Sequence, residues 1–217
     1  MNDSTYRAKK FYQDKNVVDQ YEQIRFKNWY GRMAHQTETS ALELVVSRYF
    51  DEPGKVLDVP CGTGRLFPVM LKQGMQVVGG DISQEMLKIA RVRYADEPNV
   101  SFEVCDAEKM VFGDNTFDYL TSYRFMSHLP QEIRGRVLGE MVRVTRKILV
   151  INYHVATLSP LYVFNRIFRR WTCSPYPMTL PELRKELAAY RNIEVLEIRK
   201  LSWYERSSVL AVLRKRA

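Results

Sequence analysis

The chain is 217 residues long, enough for one well-buried α/β domain and too short for two of ordinary size. Hydrophobic residues at 46% and charged ones at 27% are ordinary globular values, and no run reaches the ~20 apolar residues of a membrane span. The net charge of +8 is uneven: from Leu161 onward twelve Lys and Arg stand against five Asp and Glu, a balance that suits nucleic acid, anionic lipid, an acidic small molecule or plain solubility.

The opening stretch MNDSTYRAKKFYQDK has no apolar centre, so no secretory signal is expected. Cys61, Cys105 and Cys173 are scattered without C-x-x-C spacing, so neither a zinc site nor a disulfide framework is expected, and a reducing, cytoplasmic setting is. Residues 5–30 are rich in Tyr and charge, with Val17, Val18, Tyr21 and Ile24 at helical spacing. A helix is expected from about Thr37 to Phe50, with Leu42, Val45, Val46 and Tyr49 inward, ended by Asp51-Glu52-Pro53-Gly54.

The stretch KVLDVPCGTGR, Lys55 to Arg65, follows. Val56, Leu57 and Val59 form a short buried strand, Asp58 stands near its carboxyl end, and Cys61-Gly62-Thr63-Gly64 turn the chain into a helix carrying Leu66, Val69 and Met70. A strand feeding a Gly-rich turn and then a helix opens a nucleotide-type α/β sheet, the glycines letting backbone come close to a ligand. A dinucleotide fingerprint wants a third Gly where this chain has Phe67, and an acidic residue before the loop suits an ammonium and repels a pyrophosphate.

The stretch resembles motif I of the class I S-adenosylmethionine (SAM) methyltransferases, D-x-G-x-G-x-G, with one departure: Pro60 replaces the first Gly and removes a backbone donor.

A second strand, Met75 to Gly80, ends at Asp81, 17 residues beyond Gly64 and close to the ~20 expected of a ribose-binding acid. Ser83 is a good N-cap for a helix running to Tyr94. The words D-I-S-Q-E-M-L also match the family, which implies that Ile82 and Met86 flank an adenine. The third strand, Val100 to Val104, leads into Cys105-Asp106-Ala107-Glu108. The resemblance implies that Asp106 accepts from the adenine amine with Ala107 beside it, whereas alone such an Asp is usually a turn residue.

The fourth strand is Phe117 to Ser122 and runs into Tyr123-Arg124-Phe125-Met126-Ser127-His128. A helix from Glu132 to Arg146 and a fifth strand from Lys147 to Tyr153 come next, joined by Val144-Thr145-Arg146-Lys147, a clipped version of the family's Pro-Gly-Gly turn. In 154–178, Leu161, Phe164, Phe168 and Trp171 make a helical apolar stripe with Arg166, Arg169 and Arg170 between them. One reading makes it a lid over the acceptor; the other makes it an interfacial helix in peripheral contact with an anionic membrane. Thr179 caps a helix of Leu183, Leu187 and Ala188, and residues 192–200 and 203–214 form a closing hairpin.

Strand and helix alternate five times before that hairpin, predicting a doubly wound, seven-stranded, mostly parallel sheet in a single domain, 1–217. Within it, 1–50 is the expected helical cover, 55–153 the cofactor-binding core and 154–190 an acceptor-side insertion. The resemblance implies SAM as cofactor, with S-adenosylhomocysteine (SAH) as product, and a cofactor-binding set of Asp58, Cys61, Gly62, Thr63, Gly64, Asp81, Ile82, Met86, Asp106, Ala107 and Ser122. Candidate catalytic residues are His128 and His154, each after a strand at the ligand-facing edge, with Tyr123 and Arg124 lining the acceptor; an acidic acceptor would favour Arg124. No metal is expected. The acceptor is expected to be a small or lipid-linked molecule methylated at O, N or C. The alternatives are RNA methylation, disfavoured by the absence of a base-amino-type motif after the fourth strand, and a SAM-binding, non-catalytic partner subunit.

Overall fold

In the computed structural model the described residues are 29–156, 176, 178–201 and 208–216. The aromatic N-terminal stretch up to residue 28, the 161–171 stripe and Cys173 lie outside them. Helix α1 (Trp29–Tyr49) precedes β1 (Lys55–Asp58), α2 (Phe67–Leu71), β2 (Gln76–Asp81), α3 (Gln84–Arg93), β3 (Val100–Val104) and β4 (Phe117–Ser122). A 3₁₀ turn (Met126–His128), α4 (Gln131–Val144), β5 (Thr145–His154), α5 (Leu180–Ala188), β6 (Ile193–Lys200) and β7 (Ser208–Lys215) complete the order.

The seven strands form one sheet in the order β3-β2-β1-β4-β5-β7-β6. β3, β2, β1, β4 and β5 pair in parallel, and β7 runs antiparallel to both β5 and β6. The expected doubly wound sheet with its closing hairpin is therefore present. Along each inner strand successive side chains enter opposite cores: Val56, Tyr119 and Val150 pack beneath α1 and α2, while Leu57, Leu120, Leu149 and Ile151 pack beneath α4 and α5. Both faces are covered, which is why these strands read as apolar runs and not as alternating ones. Each fully buried aliphatic side chain contributes about 1.5–3 kcal/mol.

The start of α1, the end of α4 and the start of β5 differ from the sequence reading in ways that have a physical reason. α1 begins at Trp29 and not near Thr37, because Ala34, Ala41, Leu42, Val45 and Val46 continue one buried stripe that outweighs the local cost of Gly31. α4 ends at Val144, and β5 begins at Thr145, so no loop separates them. Thr145 is fully buried and its hydroxyl donates to the Met141 carbonyl at 2.7 Å, closing the helix as the strand starts. Polar Thr145-Arg146-Lys147 looks like a connector in the sequence, but its first residue is core. α5 has the cap its sequence promises: the Glu182 amide donates to the Thr179 hydroxyl and the Thr179 amide to the Glu182 carboxylate.

Candidate functional site

The strand order reverses between β1 and β4, and in open parallel sheets the crevice for ligands lies outside the carboxyl ends at that point. Asp58 ends β1 there, facing Thr121 across the β4 ladder. Its carboxylate is 2% exposed and accepts one hydrogen bond, from the Thr121 hydroxyl at 2.7 Å. Burial, with a smaller push from the Asp81 charge, lifts its pKa to about 7, against the opposing effects of Thr121 and the Arg65 guanidinium.

Asp81 ends β2 two positions beyond Gly79, the register partner of Asp58. It is also buried, and both of its oxygens are held by backbone: the Gly62 amide donates to Oδ2 at 2.8 Å and the Ser83 amide to Oδ1 at 2.9 Å. Burial raises its pKa, and those amide donors oppose the rise. Ser83 itself caps α3, its hydroxyl accepting from the Met86 amide at 3.2 Å. Asp81 therefore anchors the Gly-rich loop to the start of α3 while its carboxylate keeps lone pairs to offer.

The loop splits into an open half and a filled half. Gly62 sits at φ +54°, and the direction its side chain would take meets nothing within 4 Å. At Gly64, with φ +73°, an added methyl would collide with the Tyr94 ring at 2.8 Å and with Phe67. Tyr94 donates its hydroxyl to the Gly64 carbonyl at 2.7 Å, and Arg93 donates to the Thr63 carbonyl at 2.8 Å and to its hydroxyl at 3.2 Å. Thr63 and Gly64 are thus clasped by the end of α3, and Gly62 faces open space. Phe67, in the place of the third dinucleotide Gly, is accommodated because β2 has Gly79 beneath it, where a Cβ would lie 2.7 Å from the ring. The Val59–Pro60 peptide is cis, and Cys61 resumes backbone pairing by donating to the Gly80 carbonyl at 2.9 Å. Burial pushes the Cys61 thiol well up, with the Asp81 and Asp58 charges adding to it, so this sulfur is a neutral packing group and no nucleophile.

Asp106 falls just beyond β3, whose Val104 pairs with Asp81. Its carboxylate accepts from the Glu108 amide at 3.0 Å, the turn role open to it from sequence, and Ala107 beside it is buried. Met86 is buried and Ile82 half-buried at the start of α3. The three acids thus follow three adjacent strands at one edge of the sheet, with Asp58 and Asp81 within electrostatic reach of each other.

On the β4 side, the Ser122 and Tyr123 hydroxyls are buried and have no hydrogen-bond partner among the described residues. Burial drives the Tyr123 phenol far above its ordinary range, and the charges of Glu38 and Asp58 both reach it. Arg124 adopts φ +52°, held there by the Asn152 side chain, whose oxygen accepts from the Arg124 amide at 3.2 Å. Its guanidinium pairs with Glu38 of α1, a carboxylate buried to 2% exposure. An acidic acceptor would favour Arg124, and in the structure that guanidinium already faces the Glu38 carboxylate. Burial, then the Arg124 charge, depress His128, and together they pull His154 down to about 4. Both shifts favour the neutral imidazole, and the buried His154 Nδ1 has no partner among the described residues. Glu38 is the residue sequence reasoning missed; in Gln36-Thr37-Glu38-Thr39 nothing marks it as buried, and its partner lies 86 positions away.

These features suit an adenosyl sulfonium. They are two buried acids, one of them held by backbone amides, a glycine with open space beside it, and buried hydroxyls with no partner among the described residues. Among the described residues, no three metal-ligating side chains group together, and no helix is long and apolar enough to cross a membrane.

Comparison with known proteins gives concordant likenesses. Residues 56–147 match the family described as a methyltransferase domain. The chain is 37% identical over 95 residues to a ubiquinone/menaquinone biosynthesis C-methyltransferase of Desulfotalea psychrophila, covering 43% of this chain and 37% of that protein. It is 30% identical over 151 residues to a demethylmenaquinone methyltransferase of Renibacterium salmoninarum, covering 68% of this chain and 60% of that one. The chain thus spans roughly a quarter to three fifths of the length of the curated relatives it matches. In fold it is similar to the magnesium protoporphyrin IX methyltransferase of Synechocystis PCC 6803, solved with bound SAH, at a TM-score of 0.79 and 18% identity over 97% of this chain and 98% of that one.

Proposed function

We propose that this protein, whose residues 56–147 belong to the class I SAM-dependent methyltransferase family, moves the methyl group of SAM to O, N or C of a small or lipid-linked acceptor. The observation that carries the reading is two buried acids, Asp58 and Asp81, ending adjacent strands, the second accepting from the amide of the open Gly62, with the buried Ser122 and Tyr123 hydroxyls at the end of β4 lacking partners among the described residues. SAM supplies an electrophilic methyl on a cationic sulfur that leaves as a neutral thioether.

The chain's own work is binding, alignment and exclusion of water, and alignment alone can supply about 7–11 kcal/mol. Asp58 would hold the amino group of SAM and Asp81 its ribose hydroxyls. Gly62 lets the loop backbone approach, and Ile82, Met86, Asp106 and Ala107 would border the base. Cys61 supports the loop floor, Thr63 and Gly64 fix its far half through Arg93 and Tyr94, and Ser122 closes the β4 side. Tyr123, Arg124, His128 and His154 would form the acceptor wall.

Of the two histidines, His128 is the better candidate for taking a proton from a hydroxyl acceptor. His154, pulled down to about 4, is a weak base and suits a fixed hydrogen bond. The division into a helical cover (1–50), a cofactor core (55–153) and an acceptor-side insertion (154–190) is part of the same proposal.

Isothermal titration with SAM and SAH, followed by an acceptor screen with labelled SAM, tests the reading. Micromolar or tighter binding with label transfer to a phenolic, quinol or amine acceptor is expected. Binding without transfer to any acceptor would favour the partner-subunit alternative, and absence of binding would refute both.

A further inference from the structure

Asp58 and Asp81 are buried carboxylates at the ends of adjacent strands, and they are held by different means. Asp81 accepts from two backbone amides, those of Gly62 and Ser83, and a backbone donor does not change when a side chain does. Asp58 accepts from a side chain, the Thr121 hydroxyl at 2.7 Å, and its Oδ2 has no donor among the described residues. Its hydrogen bonding therefore rests on one replaceable group.

That group is tightly placed. Thr121 faces Asp58 directly across the parallel β1–β4 ladder, and the Val59 amide donates to the Thr121 carbonyl at 3.0 Å just beyond. Thr121 is fully buried, and a β-branched side chain has few χ1 states, so its hydroxyl has little freedom to turn away. Its other neighbour is the Met70 sulfur at 3.7 Å. A hydroxyl has one proton, and the carboxylate is both the nearer and the stronger acceptor. A hydrogen bond donated to a carboxylate favours its charged form, and burial leaves bulk water little access to replace that donor.

We propose that Thr121 is the positioning residue for the acid that meets the cofactor: by donating to Oδ1 its hydroxyl stabilises the Asp58 carboxylate as an anion and leaves Oδ2 for the ammonium. The inference rests on the methyltransferase reading, in which Asp58 holds the amino group of SAM, and deepens it. The other ionisable groups within electrostatic reach of Asp58 are Arg65 before α2, Asp81 ending β2, Cys61 in the Gly-rich loop and Tyr123 after β4. A change at Thr121 leaves all four in place. They set where the titration of Asp58 begins, and the hydroxyl sets how far it moves when Thr121 is replaced.

The test uses the full chain and measures SAH affinity by calorimetry from pH 6 to pH 9 in the wild type, Thr121→Val and Thr121→Ser. Valine keeps the shape of threonine and removes the hydroxyl; serine keeps the hydroxyl and removes the methyl group. In Thr121→Val the midpoint of the affinity profile should rise by about half a pH unit or more, so that SAH binds about threefold or more weakly than to the wild type at pH 6 and within about twofold of it at pH 9. Thr121→Ser should stay within about a quarter of a pH unit of the wild-type midpoint. A midpoint unchanged or lowered in Thr121→Val, a loss of affinity by the same factor at every pH, or a midpoint moved as far by serine as by valine would overturn the proposal. Should Thr121→Val not fold, Thr121→Ala, which removes the same hydroxyl, decides by the same thresholds; failure of both to fold would put the hydroxyl's role in folding and overturn the proposal as well. Absence of SAH binding by the wild type would instead count against the methyltransferase reading.

Discussion

Asp58 offers the sharpest quantitative test, because it is wholly buried with one hydrogen bond and its pKa stands at about 7 against an ordinary 3.8. In the unliganded protein the folded state therefore keeps a proton that the unfolded chain releases. The stability this contributes is full below about pH 4 and is lost as the pH rises through about 7, a total of about 4 kcal/mol from the size of the shift. A ligand ammonium beside the carboxylate reverses the preference, so SAH should bind only the ionised form well. With a free-state pKa of about 7, affinity at pH 6 should be about tenfold weaker than at pH 8, with about one proton released at the lower pH. Calorimetry at pH 6, 7 and 8, in two buffers of different ionisation enthalpy, measures both the slope and the proton count. Asp58→Asn should flatten the slope and weaken SAH binding at pH 8 by roughly 10- to 100-fold, the worth of a charged hydrogen bond. The same variant should melt higher than the wild type at pH 8 without ligand, since no charge is then buried. A wild-type affinity independent of pH, or a slope that survives in Asp58→Asn, would show that Asp58 does not meet the ligand's cation.

The two loop glycines should separate binding from stability. Gly62→Ala costs about 1–2 kcal/mol of left-handed strain and fills ligand space, so a tenfold or greater loss of SAH affinity with a small fall in Tm is expected. Gly64→Ala adds the Tyr94 clash, about 1–3 kcal/mol more, and should lower Tm by several degrees further. Asp81→Ala should weaken SAH binding at least tenfold and also destabilise the fold by about 1–3 kcal/mol for each amide, Gly62 and Ser83, left unpaired; unchanged affinity would sink the ribose assignment. Glu186→Ala strands the buried Arg134, which it grips with bonds of 2.7–2.9 Å, and should cost about 3–5 kcal/mol in urea unfolding. Pairing that change with Arg134→Met should recover most of the loss.

What could be read from the sequence follows a physical division. Asp58, Asp81 and Asp106 were legible because each closes a short apolar run, and the chain direction of a parallel sheet brings such ends to one edge. Ser83 and Thr179 were legible because a cap is a local hydrogen bond between residues three apart. Glu38 was not, since its burial depends on meeting Arg124 across the site, and local pattern carries no trace of such a meeting. The start of β5 was misjudged for a related reason: Thr145 is polar in composition, and its hydroxyl is satisfied within the preceding helix. The division of labour within the Gly-rich loop was hidden too, because Gly62 and Gly64 look alike until Tyr94 is seen against one of them.

The nesting of Phe67 against Gly79 also bears on how this scaffold can change. Opening the loop to a pyrophosphate would call for a small residue at 67. Made first, that replacement empties a ring-sized hole worth about 3–5 kcal/mol, and a larger residue at 79 made first drives into the ring. Neither single step is a halfway house, so a lineage drifting from one nucleoside ligand to the other would have to cross a valley two substitutions wide.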